Sequence, residues 1–450
     1  MKKIFFLLIA IFSIAINAQT NPAITKFLQN TTGITGRHYV TGNSTPIVDA
    51  VQANVQSVYY NATYSYVSAT GIPAYITGPF QDGNPSLATA QNKIFRIPLN
   101  PTQGSGTTAT TGGNIGVFIN GVALFDYRDG VAWNNTTQSL CGGPGNSPCP
   151  GGPTATQAWN RDAIPAERAG FDCSKAHPAM GNYHHHQNPS AFNLDLLVTS
   201  TICDAYPSDG LYVINTNEHS PLLGFAYDGF PIYGAYAYAN TNGTGAITRM
   251  KSSYQLKDQT TRSNGPAVNQ ALGAQTFFNG YFREDYEYVA HNDDASYLDQ
   301  HNGRFCVTPE YPEGIYCYFA TVDANHKSAY PYVVGPTFYG NITVTTVTTI
   351  PDGATQYTQP LDNASFGDNN FKVIVAPNPA QDFIAIQTNT AENDMTVDVI
   401  DALGKIVKTT KIIQGSTLSI IETDSLYNGT YIVRISDGSK SKTTKLIIAK

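Results

Sequence analysis

Asn114-Ile115-Gly116-Val117-Phe118-Ile119-Asn120-Gly121-Val122-Ala123-Leu124 decides the fold class. Two β-forming runs flank Asn120-Gly121, a pair favoured in two-residue hairpin turns because both central positions need positive φ. Outward from this hairpin the strand pattern continues at Gly210-Leu211-Tyr212-Val213-Ile214 and at Thr343-Val344, and short helices are expected only over 156–161 and 296–300. The 450 residues include 28 tyrosines and 39 glycines, with 13% charged, a balance that suits strands and ordered loops over long charged helices. The expected fold is mainly β: a large β-rich domain followed by a small seven-stranded immunoglobulin-like sandwich.

The ends of the chain bear on location. Lys2 and Lys3 precede an apolar run over 4–16, followed by Asn17-Ala18-Gln19, which reads as a secretory signal peptide over 1–18 cleaved after Ala18. Export through the periplasm to the outer surface or the medium is expected. No later segment reaches the roughly 18 apolar residues of a membrane helix, so no transmembrane segment is expected. A formal net charge of -7 argues against nucleic acid as a partner.

Six cysteines in an exported chain favour disulfides. Local spacing suggests Cys141 with Cys149, Cys173 with Cys203, and Cys306 with Cys317 around the turn Pro312-Glu313-Gly314, although spacing alone does not choose among the possible connectivities.

The chemistry concentrates in Gly181-Asn182-Tyr183-His184-His185-His186-Gln187-Asn188-Pro189. On a strand, side chains alternate between faces, so His184 and His186 point one way and Tyr183 and His185 the other. Two imidazoles on one rigid face form a bidentate clamp for zinc, copper, iron or nickel. Completing the site takes at least one more ligand. His219 and His177 stand beside Pro or Ser-Pro turns that hold a ring in place. Asp228 lies in an apolar run, where a carboxylate needs a reason. The expected metal ligands are therefore His184, His186 and His219, with His177 or Asp228 as a fourth ligand or as an orienting partner, and the expected cofactor is copper or zinc. The competing reading makes the histidines hydrogen-bonded core residues and Asp228 a turn cap.

Other constellations are weaker. His291-Asn292-Asp293-Asp294 with Asp299 lacks the alternation of a calcium loop and reads as solvated. Arg304 is expected to pair with Asp299. Gly314-Ile315-Tyr316-Cys317-Tyr318-Phe319 echoes the tyrosine pattern without histidine and offers an aromatic wall for the site. No Gly-x-Ser-x-Gly elbow, Walker loop or His-Glu-x-x-His helix is present.

Two resemblances sharpen this reading. Over 371–450, seven short strand-like segments accompany Pro377-Asn378-Pro379, Asp382, Leu403-Gly404, Tyr427-Asn428-Gly429-Thr430-Tyr431 and Lys445-Leu446-Ile447-Ile448. This segment resembles the C-terminal sorting domain of the type IX secretion system. The resemblance implies that machinery as a partner, passage across the outer membrane, removal of the domain, and release or attachment to surface lipopolysaccharide. A polar, turn-rich stretch over 348–370 reads as a linker.

Within 19–347, the blocks 116–122, 159–163, 177–189, 219–234, 298–304 and 330–335 together resemble the YHYH family, named for a Tyr-His-Tyr-His motif, over about 95–345. This chain carries His185 where tyrosine is usual, a position facing away from His184 and His186. The resemblance supplies a domain and candidate residues but no reaction. Three classes follow: a metalloprotein with oxidative or hydrolytic chemistry, a non-catalytic surface module binding an extracellular ligand such as polysaccharide, and a metal scavenger.

Overall fold

The computed structural model describes residues 21–358 and 373–450, apart from 82–86, 144, 152–156, 198–199, 389–390, 392 and 438–440. The expected signal peptide over 1–18 lies outside the described residues.

An eight-stranded mixed sheet forms the centre. Its strands are β1 (Asn114–Phe118), β2 (Ala123–Phe125), β3 (His177–Ala179), β4 (Asn182–His185), β5 (Leu222–Ala226), β6 (Pro231–Tyr233), β7 (Gly303–Cys306) and β8 (Ile315–Phe319), in spatial order β3-β4-β2-β1-β5-β6-β8-β7. β1 and β2 pair antiparallel through a three-residue loop, 119–121, in which the Gly121 amide donates to the Phe118 carbonyl at 2.8 Å and Gly121 alone, not Asn120, has positive φ, 80°. β4 then adds parallel to β2. Neighbouring strands approach closely at Gly224, where a Cβ would fall 2.3 Å from the Val117 carbonyl oxygen, so only glycine fits there.

A five-stranded sheet lies alongside, ordered Thr346–Val347, Lys93–Pro98, Tyr64–Ala69, Val55–Tyr60 and Thr355–Tyr357. Val58, Val67, Phe95 and Ile97 from it share one apolar cluster with Val117, Phe118, Leu124, Tyr183 and Phe225 of the central sheet. Each such side chain contributes roughly 1.5–3 kcal/mol on burial, which is what fixes the sheet carrying the histidines. Thr355–Tyr357, inside the stretch read as linker, pairs with Val55–Tyr60 of this sheet.

The C-terminal part has seven strands, β9 (Val373–Ala376), β10 (Phe383–Thr388), β11 (Met395–Ile400), β12 (Ile406–Ile412), β13 (Leu418–Glu422), β14 (Gly429–Ser436) and β15 (Ser441–Ile448). They form sheets ordered β9-β10-β13 and β12-β11-β14-β15. Period-two alternation puts Ile384, Ile386, Val397, Val399, Val433, Ile435 and Leu446 into a core of their own.

Several expectations need correction. Residues 211–214 join no sheet, and the bridge at this point is made by Gly210, to Ser190. Val344 binds through its carbonyl to the Arg96 side chain just before the strand Thr346–Val347. The helix expected over 156–161 forms later, at Ala163–Glu167, because Asp162 supplies the N-cap by accepting from the Ile164 amide at 3.0 Å. Residues 296–300 form no helix, and Tyr297 makes an isolated bridge to Lys251.

Two of the three cysteine pairs form disulfides, Cys141–Cys149 and Cys173–Cys203, while Cys306 and Cys317 are buried free thiols. The ladder explains the difference: Cys306 lies opposite Ile315 and Cys317 opposite Arg304, so the two cysteines are diagonal neighbours. Diagonal partners sit about 7–8 Å apart, beyond the usual span of a disulfide. The thiols still interact, and the Cys317 thiol beside it holds Cys306 below the ordinary thiol range.

Candidate metal centre

β3 and β4 form a hairpin whose turn, Met180-Gly181, has positive φ at both residues. The register sets His177 directly opposite His184, Pro178 opposite Tyr183, and Ala179 opposite Asn182. Cross-strand partners share a face, and so do residues two apart on one strand, which brings His177, His184 and His186 together. Their candidate ligand nitrogens lie within 4.8 Å of one another, and the three residues are only 5%, 1% and 3% exposed.

The protonation pattern of this cluster follows from its partners. His184 Nδ1 lies 2.8 Å from the Asn182 carbonyl oxygen and His186 Nδ1 lies 2.6 Å from that of Asp126. A carbonyl only accepts, so both Nδ1 atoms carry the hydrogen and donate it. The neutral His184 ring then offers a lone pair at Nε2, and this atom faces His186 Nε2 at 3.0 Å. Burial first, then the neighbouring His186 and His177, hold His184 well below the ordinary imidazole range, so it stays neutral at physiological pH.

Glu167, the last residue of the helix Ala163–Glu167, brings a carboxylate to the same point. Its Oε2 is 3.2 Å from His177 Nε2 and 3.3 Å from His186 Nε2. Burial works to raise this carboxyl, but His177 and His186 outweigh it and hold it below the usual carboxylate range. Phe125 stacks on His184 with ring centroids 3.7 Å apart, and Phe171 meets His177 edge-on at 4.9 Å. Two aromatic walls enclose a cluster whose three histidines could hold a metal ion.

His185, on the other face, is satisfied at both nitrogens. Its Nδ1 donates to the Lys175 carbonyl at 3.2 Å and its Nε2 accepts from Tyr75 at 2.7 Å. Burial lowers it to about 3.

The other candidates lie apart from this cluster. His219 donates from Nδ1 to the Ser220 carbonyl at 2.8 Å and packs between Tyr233 and Tyr238. Asp228 accepts from Tyr318 at 2.5 Å and from the amides of Gly340 and Phe230, tying the turn after β5 to a distant segment; burial pushes it up to about 6. Arg304 donates to the carbonyls of Ala295 and Tyr238 rather than pairing with Asp299, which accepts from Tyr316. Asp294 binds Ser296 and Lys251. The aromatic echo on β8 is no wall for the site, since four strands separate β8 from β4. Glu167 is the residue that sequence reasoning missed. Its one signal is a lone carboxylate in the turn of helix that follows Asp162.

The model of the YHYH protein family matches residues 94–330, which contain every residue of this cluster. The chain belongs to the YHYH family. A secretion system C-terminal sorting domain matches 374–449, the seven-stranded unit. That tail marks this YHYH protein for export by the type IX system to the cell surface or beyond. No helix among the described residues is long and apolar enough to cross a membrane. No curated protein matches the chain.

Proposed function

We propose that this exported YHYH protein binds one transition-metal ion, copper or zinc, through His177, His184 and His186, with Glu167 as the carboxylate partner. One observation carries the reading. The Nδ1 hydrogens of His184 and His186 are committed to backbone carbonyls, so the two Nε2 atoms, 3.0 Å apart and beside Glu167, are the ring positions turned toward a shared cation. Two ring nitrogens this close need a proton or a metal ion between them, and a metal ion also engages His177 and Glu167. The separation also suits a shared ion, because nitrogens each about 2.0–2.1 Å from a tetrahedral centre stand roughly 3.3 Å apart. Three imidazoles and a carboxylate are donors that both zinc and copper accept.

Bound metal would replace the unfavourable approach of the rings with four favourable contacts. Burial by Phe125 and Phe171 would keep water and competing ligands away. The test is elemental analysis of the purified full chain and of a His184→Ala/His186→Ala variant. About one equivalent of metal in the native protein and none in the variant is expected. Equal metal in both, or none in the native protein after reconstitution, would overturn the proposal.

A further inference from the structure

Lys175 and Asp195 are an unusual pair. Both side chains are 1% exposed, and Lys175 Nζ lies 2.7 Å from Asp195 Oδ1 and 3.0 Å from Ser190 Oγ. Lys175 also sits at φ 66°, a backbone conformation that non-glycine residues rarely adopt, so the chain accepts strain to turn this lysine inward. Every other lysine–carboxylate ion pair among the described residues has a lysine at least 32% exposed. The other fully buried ion pair, Arg262–Asp285, uses a guanidinium, which does not act as an amine nucleophile.

The surroundings suit a condensation. Asp195 Oδ2 takes no hydrogen bond and faces the Arg168 guanidinium, 3.6 Å away, while the Phe192 ring lies 5.7 Å from Nζ. Two opposite charges withdrawn from water are costly to keep, whereas an amide between the same groups carries no charge. The amine and the carboxyl carbon are held together by the fold, so joining them needs no encounter.

We propose that Lys175 and Asp195 become joined by an intramolecular isopeptide bond. One Nζ proton passes to Oδ1 along the existing hydrogen bond, and the freed lone pair bonds to Cγ. A second Nζ proton joins Oδ1, which departs as water. One N–C bond forms, one C–O bond breaks, and Oδ2 becomes the amide oxygen facing Arg168. No oxidant, reductant or cofactor is consumed. The link spans 20 residues and lies inside the loop closed by Cys173–Cys203. It adds a tie that reduction cannot open, across the segment that carries His177, His184 and His186. It does not depend on metal binding.

The test is intact mass spectrometry of the full chain after complete reduction, followed by peptide mapping. The expected result is a mass lower than that of the sequence by one water and a branched peptide joining Lys175 to Asp195. Lys175→Arg, which keeps the charge, should regain the missing water. Separate, linear peptides containing Lys175 and Asp195 in the native protein would overturn the proposal, and so would a Lys175→Arg protein that still lacks the water. If that variant does not fold, the native peptide map alone decides.

Discussion

His185 and its neighbours His184 and His186 occupy one strand end, share one residue type and are all buried, yet the two faces differ in what their nitrogens meet. On one face both ring nitrogens of His185 have protein partners, Lys175 and Tyr75. On the other, His184 and His186 each have one backbone partner and turn the remaining nitrogen toward the other. Burial alone therefore says nothing about role. The decisive quantity is the account of donors and acceptors at each nitrogen. His185, bonded at both nitrogens, reads as a core residue, and the converging pair is the candidate metal site.

Substitutions should separate the two faces. The largest effect is expected on the converging face, where His184→Ala alone should weaken metal binding beyond the roughly 100-fold that loss of a supporting partner costs, measured by competition with a chelator. Glu167→Gln comes next. It keeps the shape and removes the charge beside His177 and His186, and the same titration should show about a 10–100-fold loss.

His185→Phe should leave metal content unchanged and cost about 1–3 kcal/mol in urea unfolding, because the buried Tyr75 hydroxyl loses its acceptor. Loss of metal in that variant would erase the distinction between the faces.

The pH response of the metal-free protein is the finest contrast. His185 titrates near 6.5 when unfolded and near 3 when folded, so the unfolded state binds the proton first. Its stabilising contribution is complete above about pH 6.5 and is lost as pH falls from there toward 3, on the order of a few kcal/mol in total. His185→Phe should flatten that part of the urea-midpoint profile, and an unchanged slope would show that His185 is not its source.

Part of this was legible in sequence. The β1–β2 hairpin and the seven C-terminal strands follow from turn residues and period-two alternation, although the hairpin loop takes three residues and needs positive φ at Gly121 alone. The same alternation placed His184 and His186 together and His185 opposite. His177 was legible only as a candidate, because its place depends on a hairpin register set by the Met180-Gly181 turn. Glu167 depends on how a short helix packs, which no local pattern encodes.

His219 was a candidate because a Ser-Pro turn follows it, and Asp228 because a carboxylate in an apolar run needs a partner. Their partners are a carbonyl, a tyrosine and backbone amides, and these become visible only in three dimensions. Cys306 and Cys317 show the same limit, because close spacing across a turn does not say whether a ladder sets two residues opposite or diagonal.

The most direct measurement is metal-edge X-ray absorption on the purified full chain. Imidazole nitrogens and a carboxylate oxygen at about 2.0–2.1 Å, with outer-ring imidazole scattering and no sulfur, are the result expected for the cluster of His177, His184, His186 and Glu167. Sulfur at about 2.3 Å would place the metal at Cys306 and Cys317 and contradict the account.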